Sequence, residues 1–315
     1  MNAIITRDLT RRFGKTLAVD RLNLKVESGS IFGLIGPNGA GKTTTLRMLA
    51  GLLEPSDGTI RINELSIIHY WQELHWLIGF MPDFFGVYDD LLVWEYLDFF
   101  ARCFKLAPSR RQQVTNELLE LVDLSEKRDA YVHTLSRGMR QRLCLAHALI
   151  HDPQILLLDE PASGLDPRAR VEMRELLREL RAMGKTILLS SHILSELAEL
   201  CDQVAIIERS QLVISGPTDA ILRHATEHRR IIIHVLGESL RTTSLLEILP
   251  GVKKVIVNQK NGGPNQIEIE FSGSDSQVAD LLERLIIEKI RVTKFHEANT
   301  NLEEAFLRLT KGEVN

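Results

Sequence analysis

Residues 36–44, GPNGAGKTT, carry the spacing G-x-x-x-x-G-K-[ST] at Gly36, Gly41, Lys42 and Thr43. The run follows the apolar stretch SIFGLIG and opens the helix-like stretch TTLRMLAGLL. Between a strand and a helix, glycines let a loop wrap around phosphates while its backbone N–H groups donate to them. Lysine then reaches the β and γ oxygens and threonine ligates Mg²⁺. Gly36, Pro37, Asn38, Gly39, Ala40, Gly41, Lys42, Thr43 and Thr44 are therefore the candidate nucleotide contacts.

A triphosphate site needs a second anchor for the metal and a group that orients the attacking water. ILLLDEP offers both: Asp159 ends a buried-strand pattern, where doubly wound sheets place their ligands, and Glu160 follows it. Asp159 is assigned to Mg²⁺ and Glu160 to polarising the water. A second anion site is suggested at HTLSRGMRQRLCLAH, where Ser136, Arg137 and Gly138 begin a helix whose first N–H groups lack helical partners.

The elements that must hold these groups are legible as a pattern. SIFGLIG, QILLLDE, KTILLSS and QVAIIE are continuous apolar runs rather than alternating ones, the mark of strands buried on both faces. The fold class expected for residues 1–227 is α/β, a P-loop NTPase, with a helical subdomain over about 83–150. Beyond residue 228, RIIIHVLG, GVKKVIVNQ and NQIEIEFSG surround helix-like SLRTTSLLEIL and SQVADLLERLIIEK, with NGGPN as a hairpin-type turn. Residues 228–315 are expected to form a small α+β domain, ferredoxin-like, closed by a helix over 301–311.

The chain has 315 residues, 44% hydrophobic and 25% charged, which are globular values. A net charge of −4 supplies no global basic field, so no nucleic-acid partner is expected. Cys103, Cys144 and Cys201 show no C-x-x-C spacing and read as reduced thiols. MNAIITRDLTRR lacks the apolar core of a signal peptide, and no apolar run reaches the roughly 18 residues of a membrane span.

Taken in order, GPNGAGKTT, LSRGMRQR, ILLLDEP, ASGLD and SSHILSE resemble the motifs of the ATP-binding subunits of ABC transporters over residues 1 to about 220. The resemblance implies an ATPase with ATP and Mg²⁺ as cofactors. It also implies a second ATP-binding domain, either an identical copy or a paralogue, bound head to tail. Each ATP would lie between the phosphate loop of one domain and the signature residues Ser136, Arg137 and Gly138 of the other. Asp166 would cross near the opposite site, His192 would contact the γ-phosphate and hold Glu160, and Phe13 would stack on adenine. An integral membrane permease would be the other partner, which places the chain in the cytoplasm, peripherally attached to the membrane's inner face. The C-terminal part resembles the extension of drug-, antibiotic- and polysaccharide-export ATPases, which favours export and assigns it dimer support or regulation.

Two positions depart from the family pattern. Arg137 replaces the more usual signature glycine, and Asp83 in FMPDFFGVYDD replaces a glutamine that touches Mg²⁺. Aspartate can reach the metal through water but, ionised, cannot donate a hydrogen bond. Asp83 is expected still to link nucleotide state to the membrane partner. The aromatic stretch Phe80, Phe84, Phe85, Tyr88, Trp94, Tyr96, Phe99, Phe100 and Phe104 reads equally as permease-docking surface or subdomain core in the loop, and as core in the helix. Cys144, His147 and His151 share a helical face but read as packing, and RARVEMRELLRELRAMGK reads as a solvated helix. Phe13 as a core residue, and a ribosome- or DNA-acting ATPase of the same superfamily, are the competing readings.

Overall fold

In the computed structural model of the chain, residues 1–67, 69–83, 88, 90–193, 197, 199–221, 229–237, 239–258 and 265–297 are described. They belong to two compact units, Met1–Asp219 and Ala220–Asn315.

The first unit begins with β1 (Asn2–Phe13), β2 (Thr16–Leu22) and β3 (Lys25–Glu27), followed by β4 (Ile31–Ile35) and α1 (Lys42–Leu49). Then come β5 (Asp57–Ile62), β6 (Leu65–Ser66), the one-turn α2 (Trp71–Leu74) and β7 (Ile78–Met81). Three helices follow: α3 (Val93–Cys103), α4 (Pro108–Leu121) and α5 (Arg137–Leu149). The unit ends with β8 (Ile155–Leu158), α6 (Pro167–Ala182), β9 (Thr186–Ser191), β10 (Gln203–Glu208) and β11 (Gln211–Pro217).

Two sheets form from these strands. A six-stranded sheet runs β11-β10-β4-β9-β8-β7, parallel throughout except for the edge strand β11. Every residue of β4, β8 and β9 is buried, which is why those strands read as unbroken apolar runs. The second sheet, β2-β1-β5-β6 with β3 also on β1, is antiparallel and adds to the α/β pattern expected from the sequence. One core joins the two: Ile4, Leu22, Val26 and Ile62 of the antiparallel sheet pack with Phe32, Leu34, Leu157, Leu188 and Ile207 of the parallel one, and with Leu46 and Met48 of α1.

The helices α3, α4 and α5 pack on one another. Tyr96 and Leu97 of α3 are buried, as expected for the helix, whereas Tyr88 is half exposed and meets Phe99 edge-on at 5.5 Å. Phe84 and Phe85 lie outside the described residues. The mixed-charge helix α6 buries Met173, Leu176, Leu177 and Leu180 along one stripe and carries ion pairs such as Arg168–Glu172 on its other side.

The second unit comprises β12 (Arg229–Leu236), α7 (Ser239–Glu247), β13 (Val252–Asn258), β14 (Asn265–Phe271), α8 (Asp275–Ile287) and β15 (Arg291–Glu297). Its antiparallel sheet has the order β13-β14-β12-β15, a ferredoxin-like βαββαβ arrangement. Alternation explains the layering: Ile231, Ile233, Val235, Ile267, Ile269 and Phe271 join Leu246, Leu281 and Leu285 of the helices in a core of their own. Ser274 starts α8 with a capping box to Gln277. Residues 261–264 of the expected turn and the expected helix over 301–311 lie outside the described residues.

Candidate functional site

Strand order assembles the site. Neighbours β4, β9, β8 and β7 all end on the same edge, so the residues just beyond them converge: Gly36, His192, Asp159 with Glu160, and Asp83. Register tightens the arrangement, because Ile35 lies opposite Ser191, and Leu158 opposite both Leu189 and Met81. The N–H of Asp159 continues the ladder by donating to the Met81 carbonyl at 2.8 Å.

The phosphate loop turns from β4 into α1. Gly41 sits at φ +106, and a Cβ there would collide with the carbonyl of Ala18, so no other residue type fits this turn. As the N-cap of α1 it brings no side-chain cap, which leaves the helix's first N–H donors to the cavity. Lys42 is buried; its Nζ donates to the carbonyls of Gly36 at 2.6 Å and Pro37 at 3.3 Å and lies 3.4 Å from Glu160 Oε1. An ammonium held on loop carbonyls is ready to exchange them for phosphate oxygens.

Asp159 is fully buried, and that burial raises its carboxyl above the usual range, opposed by hydrogen bonding from Ser190 and Thr43. Ser190 Oγ donates to Asp159 Oδ1 at 2.6 Å and accepts the Glu160 N–H at 2.9 Å. Asp159 Oδ2 is buried with no hydrogen-bond partner among the described residues. Such an orphaned oxygen beside Thr43 and Asp83 forms an all-oxygen donor set, which suits Mg²⁺.

Glu160 lies between two nitrogens. On one side is Lys42, and on the other His192 Nδ1 stands 2.8 Å from Oε2. With Glu160 ionised, Nδ1–H is the donor, so Nε2 is left to face solvent or ligand.

A cavity of about 450 Å³, within the range of small-ligand sites, collects most of these groups, while the buried Gly36 and Asp159 do not line it. Its lining includes Asn38, Gly39, Gly41, Lys42, Thr43, Thr44, Asp83, Glu160 and His192, together with Ala18, Ser163 and Arg137. The candidate contacts Pro37 and Ala40 belong to the same loop without lining the cavity; Pro37 is exposed and Ala40 buried. Phe13 is not brought to it. The ring stands half exposed at the tip of the β1–β2 hairpin with the Arg11 guanidinium 4.6 Å from its centroid, which also removes the reading of Phe13 as core.

Ser136 and Gly138 likewise stand outside the cavity. Ser136 is exposed and caps α5 by accepting the Met139 N–H at 3.3 Å. Asp166 caps α6, accepting the N–H groups of Arg168 and Ala169 at 3.0 Å. Cys144, His147 and His151 are taken up by packing: Cys144 is buried, His147 lies 3.8 Å from the Phe100 ring centre and His151 4.1 Å from that of Phe104.

Ser190 is a site residue that motif reading did not single out. The trace was present: KTILLSSH places hydroxyls inside an otherwise apolar buried strand, where each must find a polar partner.

A family profile described as ABC transporter matches residues 19–163. The Nod factor export ATP-binding protein I of Ralstonia nicotianae is 36% identical, covering 97% of this chain and 93% of its own. Its namesake from Rhizobium meliloti is 34% identical over 99% of this chain and 89% of its own. Among solved structures, an ATP binding subunit of an ABC transporter aligns with a TM-score of 0.63 and 29% identity, covering 70% of this chain and 92% of its own. cbiO1 from Clostridium perfringens, described as part of the ABC transporter complex cbiONQ, aligns at 0.64 and 25% identity, covering 70% and 91%. The sequence likeness runs through the strands that carry the cavity and on through the second unit, and on that ground the chain belongs to the ATP-binding proteins of the ABC transporter family.

Proposed function

We propose that this chain is the ATP-hydrolysing subunit of an exporter, working as one of two head-to-tail ATP-binding domains beneath a separate membrane permease. Export is supported by relatives named for Nod factor export that match nearly the whole chain. The choice of cargo belongs to the permease. No helix among the described residues is long and apolar enough to cross a membrane, so a membrane step calls for that second subunit.

The observation that carries the shared-site reading is the separation of Ser136 and Gly138 from their own chain's nucleotide cavity. Both stand at the start of α5, a helix of 13 residues whose dipole and first N–H groups favour an anion. A second copy, or a paralogue, supplies that anion as the γ-phosphate of its own ATP, and Asp166 at the start of α6 lies on the same crossing. Closure needs only that ATP bind the closed pair better than the open one.

Within one cavity, Lys42 and the loop N–H groups hold the β and γ phosphates, while Thr43, Thr44 and Asn38 complete the cradle. Asp159, Thr43 and, through water, Asp83 would hold Mg²⁺, whose chemistry is to offset charge on the β and γ oxygens. Glu160 accepts a proton from the attacking water as it adds in line to the γ-phosphorus while the bond to the β–γ bridging oxygen breaks and ADP leaves, and His192 Nδ1–H fixes the carboxylate's orientation. Phe13, half exposed at the hairpin tip, would stack on adenine.

Permease docking has a surface to use. A groove of about 230 Å³ is lined by Leu52, Trp71, His75, Phe104 and His151, with Ile78 and Phe80 of β7 in its wall. The second unit, with its separate core and no comparable constellation among the described residues, supports or regulates the pair.

Glu160→Gln in excess Mg-ATP tests this reading. The variant is expected to bind ATP, fail to hydrolyse it, and run at twice the mass of the chain in light scattering after gel filtration. A variant that stays monomeric with ATP bound would show that the site is complete in one chain.

A further inference from the structure

Arg137 behaves differently from its neighbours in the signature. It is the first residue of α5, where Cα–Cβ bonds tilt toward the helix N-terminus, and its side chain turns back onto the segment linking β8 to α6. The guanidinium rests on Gly164: a Cβ built there would lie 2.6 and 2.7 Å from its terminal nitrogens. Gly164 also holds φ +67, so this position is suited to glycine both by backbone and by the arginine seated on it.

From that seat Arg137 lines its own chain's phosphate cavity, alongside Lys42, Thr43, Glu160 and His192, while Ser136 and Gly138 on either side of it do not. Arg137 is exposed and has no hydrogen-bond or ion-pair partner among the described residues. Glu160 is already engaged by Lys42 and His192. A guanidinium presents planar, paired donors suited to phosphate oxygens.

We infer that Arg137 serves in cis: seated on Gly164, its guanidinium binds the terminal phosphate of ATP held by the phosphate loop of the same chain, while Ser136 and the Gly138 backbone serve the partner's nucleotide. The departure from the usual signature glycine is then a phosphate ligand added to the chain's own site. This inference rests on the reading of the cavity as an ATP site. It ties α5 to the Glu160–Asp166 segment, to which Arg170 Nε also donates, at the Leu165 carbonyl, at 3.0 Å.

The experiment uses the full-length chain carrying Glu160→Gln, so that ATP survives, at concentrations where light scattering shows a monomer. Fluorescent ATP and ADP are titrated with Mg²⁺ into this protein and into versions adding Arg137→Ala, Arg137→Lys or Lys42→Ala, after thermal melts confirm folding. Arg137→Ala is expected to weaken ATP roughly tenfold and ADP far less, with Arg137→Lys between, because only ATP carries the phosphate that the guanidinium reaches. If Arg137→Ala leaves monomer affinity for ATP unchanged and abolishes only the ATP-driven dimer, the arginine acts in trans and the inference is overturned. If Lys42→Ala changes neither nucleotide's binding, the ATP-site reading itself fails and takes this inference with it.

Discussion

Ser190 holds two acids with one hydroxyl, donating to the buried Asp159 and accepting from the backbone of Glu160. That second bond matters because Glu160 sits at φ +50, a left-handed conformation that costs a non-glycine residue on the order of 1–3 kcal/mol unless its surroundings hold it. The Glu160 carbonyl accepts the Ser163 N–H at 3.0 Å, and its side chain meets His192, so strain is offset at the residue proposed to face the attacking water. Ser190→Ala strips a donor from a fully buried carboxylate and leaves a peptide N–H unanswered. Chemical denaturation should report a loss of about 1–3 kcal/mol. Steady-state kinetics should show kcat falling more than KM for ATP rises, because the residue positions Glu160 without lining the phosphate cavity.

At the scale of elements, α5 both presents the signature at its start and packs histidines along its length. His147 packs at a tilt on Phe100 and His151 stacks on Phe104, and His151 Nε2 also meets the Ile78 carbonyl at 3.0 Å, which ties α5 and its C-terminal end to α3 and to β7. Burial disfavours the imidazolium, pulling His147 down to about 4 and His151 in the same direction. A histidine depressed in the folded state takes up its proton more readily when unfolded. Stability is therefore full above the ordinary value near 6.5 and is lost as pH falls toward 4. For His147 the loss is on the order of 3 kcal/mol. Thermal melts between pH 7 and pH 4.5 should show a falling midpoint, and His147→Phe should flatten that slope; a variant with an unaltered slope would remove His147 as its source.

At the scale of the whole molecule, each of the two units has a hydrophobic core of its own among the described residues. The nucleotide cavity is built entirely from residues of Met1–Asp219. A chain ending at Asp219 is therefore expected to melt cooperatively and to keep the ATP affinity of the full-length protein in monomer titrations. If the second unit supports the pair, truncation in the Glu160→Gln background will weaken the ATP-driven dimer in light scattering while leaving monomer binding alone. Loss of monomer ATP binding on truncation would contradict the independence of the first unit.

What sequence alone determined here is mostly local chemistry whose spacing is rigid. GPNGAGKTT can wrap phosphates only between a strand and a helix, ILLLDEP announces a buried strand ending in two acids, and alternating β12 and β14 announce a half-buried sheet, because pattern and backbone geometry are tied residue by residue. Strand order is another matter. That β9 lies between β4 and β8 and brings Ser190 against Asp159, or that Phe13 stands exposed beneath Arg11, depends on contacts between residues far apart in the chain. The direction of the Arg137 side chain belongs to the same class. One residue type at one position permits either a cis or a trans role, and only the packing of α5 against the Gly164 segment chooses where its charge goes.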